Sequence, residues 1–101
     1  MYEVSLCCYR ENEKTCEKDE WYIADTFGEY ESLDVAHKAA SMLTAHYRGF
    51  VELYCVTHEC DGISFDIVDT ETENAIAAYE VSAAGNVTIW HESECHEWRL
   101  V

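Results

Sequence analysis

Residues 32–49, SLDVAHKAASMLTAHYRG, read as a helix, and the rest of the fold is argued outward from them. Leu33, Ala36, Ala40, Leu43 and Tyr47 recur at three- and four-residue spacing, one apolar stripe on a 3.6-residue period, while Asp34, His37, Lys38, Ser41 and Arg48 fall mainly outside it. Ser32 stands where an N-cap belongs, and Asp34 lies in the first turn, near the positive end of the helix dipole. Gly49 occupies the place of a left-handed terminating residue. The expected helix is 33–48, with one apolar face to lay on a sheet.

The flanks read as strands. Before the helix, YEVSLCCY (2–9) and WYIAD (21–25) are separated by the polar stretch ENEKTCEKDE (11–20), most simply a hairpin with a long acidic loop. After Gly49 come FVELYCVTH (50–58), ISFDIVD (63–69), AIAAYEV (75–81) and NVTIWHE (86–92), rich in β-branched and aromatic residues and punctuated by ECDG, TETEN and SAAG. The expectation is an α+β fold of order β-β-α-β-β-β(-β), an antiparallel twisted sheet of about five to six strands with one helix on one face. The 101 residues show no internal repeat or linker and are read as a single domain, 1–101.

Charge sets the functional question. The formal net charge is −15. Between Arg48 and Arg99 there is no lysine or arginine, but there are eleven carboxylates: Glu52, Glu59, Asp61, Asp66, Asp69, Glu71, Glu73, Glu80, Glu92, Glu94 and Glu97. A field of one sign repels nucleic acid backbones and anionic membranes and attracts basic protein surfaces. At 49% hydrophobic and 13% aromatic, the composition is that of a folded body rather than a disordered acidic tail. With no signal-peptide pattern and no long apolar run, the chain is expected to be cytoplasmic, in the host cytosol if it is phage-encoded.

Strand alternation places those charges. If Val51, Leu53 and Cys55 face the helix, then Glu52, Tyr54 and Val56 face outward. Ile63, Phe65 and Ile67 inward set Asp66 outward, Val4 and Leu6 inward set Glu3 outward, and Tyr79 and Val81 inward set Glu80 outward. An open sheet face would carry Glu3, Glu52, Asp66 and Glu80 with Tyr54 and Trp90 among them, at a pitch comparable to that of charges on a nucleic acid. Asp69, Glu71 and Glu73 in the following turn complete the expected partner-binding set. The partner would be a basic nucleic-acid-binding protein, met by charge complementarity with aromatic anchors.

In size and acidic character the whole chain resembles the small anti-defence proteins of phages and mobile elements, of the anti-CRISPR and anti-restriction type. That resemblance implies a non-enzymatic inhibitor whose charged face blocks guide, target or DNA binding by a defence complex, with Glu52, Asp66 and Glu80 as candidates for that face.

Cysteine and histidine supply the competing reading. Cys55, His58 and Cys60 form C-x-x-H-x-C, and His91, Cys95 and His96 form H-x-x-x-C-H, so zinc ligands for a small adaptor domain would come from Cys55, His58, Cys60, Cys95 and His96. Neither paired C-x-x-C nor H-x-x-x-H is present, and a reducing compartment favours free thiols for the six cysteines. A cysteine nucleophile is disfavoured because Glu59, Asp61, Glu94 and Glu97 flank Cys60 and Cys95 and oppose the thiolate. Gly-rich phosphate loops and nucleophile elbows are missing, and the turn carboxylates Asp69 and Glu71 have nothing to split their pKa values. The expectation is therefore no enzyme and no cofactor. A third reading is an accessory or assembly subunit without mimicry.

Overall fold

The computed structural model describes residues 1–11 and 27–91 in full and residues 18–24 as backbone. The elements are β1 (Tyr2–Glu11), β2 (Lys18–Ala24), β3 (Glu29–Tyr30), α1 (Leu33–Arg48), α2 (Val51–His58), β4 (Gly62–Asp69), β5 (Asn74–Ser82) and β6 (Val87–His91). They form an α+β fold with one antiparallel sheet in the order β2-β1-β4-β5-β6, and β3 extends the β2 edge of β1. Two helices cross the sheet, where one was expected.

The added helix is the main correction. FVELYCVTH contains β-branched and aromatic residues and so reads as a strand. In the fold it is α2, because Val51 and Cys55, four residues apart, are both buried, whereas Leu53 and Val56 are 68% and 72% exposed. A strand would have put Leu53 inside with them. Gly49 is right-handed (φ −63°), so α1 does not stop in a left-handed turn; its amide donates to His46 O at 3.4 Å, the Phe50 amide donates to Tyr47 O at 3.1 Å, and the chain bends through Phe50 into α2. The left-handed stop lies ten residues later, at Glu59 (φ 53°). Ser32 occupies the N-cap position of α1 without a side-chain cap bond.

The apolar stripe of α1 lands as its spacing implies. Ala36 and Ala40 are fully buried, Leu43 and Tyr47 pack against the core, and Leu33 is exposed at the end of the stripe. Small residues at 36 and 40 let α1 lie close over Val4, Leu6, Ile63, Phe65, Ile67 and Val81, all under 2% exposed. Tyr47 is the hub of an aromatic cluster at the helix junction, with ring centroids 5.0 Å from Phe50, 5.1 Å from Phe65 and 5.7 Å from Tyr54. Such pairs add about 0.5–1.5 kcal/mol each beyond the area they bury.

The second face of the sheet is also closed, contrary to the expectation of an open acidic surface. Ser5, Cys7, Tyr9, Ser64, Asp66 and Glu80 alternate with the core positions, and each is buried. Part of the cover comes from the face itself, because the Tyr9 ring lies across Gly62, its register partner on β4. This is why β1 and β4 read as near-continuous apolar and small-polar runs instead of clean alternation.

A candidate acidic interface at one end of the sheet

Register, not alternation, assembles the exposed charge. Tyr2 pairs with Asp69, and Glu3 pairs with Val68 on one side and Glu29 on the other. Neighbouring strands are about 4.8 Å apart, so Glu29, Glu3 and Asp69 fall within roughly two strand spacings. The β4–β5 turn is built by Asp69: its Oδ1 accepts the Glu71 amide at 3.0 Å, and its carbonyl accepts the Glu73 amide at 2.8 Å. Glu73 adopts the left-handed conformation (φ 60°). Thr70 donates its amide and its hydroxyl to Met1 O at 3.0 and 3.1 Å, which ties the turn to the start of β1.

The result is a rim of Glu3, Glu29, Glu31, Asp69, Glu71 and Glu73, of which Glu29, Glu31, Glu71 and Glu73 are exposed and Glu3 and Asp69 half-buried. The described lysine and arginine side chains lie elsewhere. Arg10, at the opposite end of β1, donates to Glu59 O, Lys38 is in the second turn of α1, and Arg48 ends α1 beside Gly85. Six carboxylates, with no lysine or arginine between them among the described residues, can hold a cationic surface, and no chemistry beyond that follows from their exposure. Glu3, Asp69, Glu71 and Glu73 belong to the set expected from sequence. Glu29 and Glu31 do not, because their proximity depends on β3 pairing with β1, a two-residue contact with no periodic signal.

The remaining expected residues disperse. Glu52 and Tyr54 are on α2, across the sheet from its second face; Tyr54 is half-buried against Tyr47 with its ring centroid 4.3 Å from that of His58, the two planes tilted by 33°, and burial pushes its phenol pKa up. Asp66 is 7% exposed and accepts hydrogen bonds from Ser64 Oγ at 2.5 Å and Cys7 Sγ at 3.6 Å. Burial raises its pKa against the lowering effect of those two donors. Glu80 is 8% exposed and, with Tyr9, Glu11, Ser82, Asn86, Thr88 and the half-buried Trp90, lines a cavity of about 220 Å³. Burial, and then the charges of Glu80 and Glu11, push the Tyr9 phenol above its usual range. Glu3, Glu52, Asp66 and Glu80 therefore share no exposed surface, and they form no planar lattice on the sheet face.

Of the expected zinc ligands, Cys95 and His96 lie outside the described residues. Cys55 and Cys60 are buried together with Cys8 of β1, while His58 turns to Tyr54. Among the described residues, no group of three His, Cys, Asp or Glu side chains has the geometry to hold a metal ion. A second titratable group sits on the helix side: His37 Nδ1 is 2.7 Å from Tyr79 Oη, and its ring stacks 5.0 Å from His91.

Comparison with protein-family models, curated proteins and solved structures returns no match. Among the described residues, no helix is long and apolar enough to cross a membrane.

Proposed function

We propose that this chain is a non-enzymatic acidic inhibitor that binds a basic nucleic-acid-binding protein, of the kind found in CRISPR–Cas or restriction complexes, and competes with nucleic acid for its basic surface. The observation that supports the reading is the rim of Glu3, Glu29, Glu31, Asp69, Glu71 and Glu73 on a protein of net charge −15. Its carboxylates stand in for phosphates as a cluster at the end of the sheet, not as a lattice on its face. Complementary fields of this kind speed encounter and exclude the competing polyanion.

The experiment is competition. Candidate defence complexes are loaded with labelled DNA or guide RNA, and the chain is titrated in at low and high salt. The wild type displaces the nucleic acid, and its effect weakens as ionic strength rises past the point where the screening length falls below about 8 Å. Glu71→Lys with Glu73→Lys lowers displacement by about tenfold or more, whereas Glu52→Lys, on α2 and outside the rim, leaves it nearly unchanged. Equal loss from both sets, or no displacement of any complex, overturns the reading.

A further inference from the structure

The end of α2 holds an arrangement that acidic binding does not use. Glu59 is left-handed (φ 53°, ψ 48°), its amide donates to Val56 O at 3.4 Å, and the Cys60 amide donates to Cys55 O at 3.0 Å. Those two bonds are the Schellman pattern, in which the residue after the left-handed position folds its side chain back onto the one five residues earlier. Here both positions are cysteine. The bond lengths along the Cys60 N–H to Cys55 O path keep the two Cα atoms within about 7 Å, and closer once bond angles are counted, which is the span a disulfide needs.

A third thiol lies beneath them. The Asp61 amide donates to Tyr9 O at 2.9 Å, drawing the turn onto β1, and Cys8, Cys55 and Cys60 are buried in one cluster at 0%, 3% and 9% exposure. Cys60 is close enough to perturb both other thiols.

We propose that Cys55 and Cys60 are a redox-convertible pair, joined by peroxide into a disulfide that staples the last turn of α2 to the turn leading into β4. Cys60, the most exposed of the three, meets the oxidant. Its sulfur attacks one peroxide oxygen, the O–O bond breaks, and Cys60 sulfenic acid forms with release of one water. The Cys55 thiol then attacks the sulfenic sulfur, the S–O bond breaks, a second water leaves with the Cys55 proton, and the S–S bond closes. Two thiols are oxidised and one peroxide is reduced. Burial, followed by the contact with Cys60, pushes the Cys55 pKa up to about 12 and that of Cys8 above its usual range, so neither is the thiol that first meets peroxide. Glu59 and Asp61 beside Cys60 make its oxidation slow. Cys55 is chosen over Cys8 because a backbone hydrogen bond already fixes its approach.

The test uses the reduced full chain and hydrogen peroxide. Remaining thiols are alkylated, the chain is denatured without reductant and cleaved after glutamate, and the fragments are weighed. Cleavage at Glu52, Glu59 and Glu71 separates Cys55, in 53–59, from Cys60, in 60–71. The expected product is these two fragments linked, about 2 Da below the sum of their reduced masses, and parted by reductant. Amide exchange over residues 57–60 of the oxidised chain slows at the same time. Recovery of both fragments separately, linkage of 60–71 to fragment 4–11 through Cys8, or sulfinic acid at Cys60 without a crosslink overturns the proposal.

Discussion

Gly62→Ala tests the closed second face directly. The backbone at Gly62 is extended, and in open space a Gly→Ala change there stabilises by about 0.4–1 kcal/mol through the unfolded chain. The structure reverses that sign. An ideal Cβ at position 62 would lie 2.5 Å from Tyr9 Cε2 and closer still to Cζ and Oη, and Tyr9 is only 4% exposed, so its ring has little room to move. If the sheet absorbs the strain in place, overpacking costs about 1–3 kcal/mol. If the ring is expelled, losing about 200 Å² of burial at about 25 cal/mol per Å² costs about 5 kcal/mol. The lower range corresponds to a fall in melting temperature of roughly 5–15 °C for a domain this size. Urea and thermal unfolding of Gly62→Ala, Tyr9→Leu and the double variant supply the check. In the Tyr9→Leu background the alanine becomes neutral or mildly stabilising, giving a coupling of about 1–2 kcal/mol or more. A neutral Gly62→Ala in the wild-type background, or strict additivity, would refute the closed face.

Helix and strand registers at 50–58 differ in their core residues: Leu53→Ala is expected to cost less than about 0.5 kcal/mol and Val51→Ala about 2 kcal/mol, measured by urea unfolding. Asp66 has a folded pKa raised by burial, so its favourable contribution is complete below the unfolded value and lost as pH rises through the folded one. Asp66→Asn, which keeps an oxygen to accept from Ser64, should therefore gain on the wild type as pH rises above about 4, read from unfolding midpoints across a pH series. His37 shifts the other way: burial first, then the charge of His91, lowers its pKa against the pull of Asp34. Its contribution is present above the unfolded value of about 6.5 and is lost as pH falls through the folded one, so His37→Gln should flatten the decline in stability below about pH 6.5.

The sequence alone was sufficient for the helix at 33–48, because a 16-residue amphipathic stripe has one periodic solution, and for the α+β class, because strand-like runs flank it on both sides. It also carried the core alternation of Val4, Leu6, Ile63, Phe65, Ile67 and Val81. Tertiary structure decided the rest. Residues 51–58 became helix because Val51 and Cys55 pack together onto the core, a four-residue spacing that the strand-favouring Val51, Tyr54, Val56 and Thr57 mask. The fate of Asp66 and Glu80 turned on whether the face opposite the helices was covered, and alternation assigns a side but not its solvent. The rim of Glu3, Glu29, Glu31, Asp69, Glu71 and Glu73 exists through strand order and register, long-range pairings that place residues far apart in sequence a few ångströms from one another.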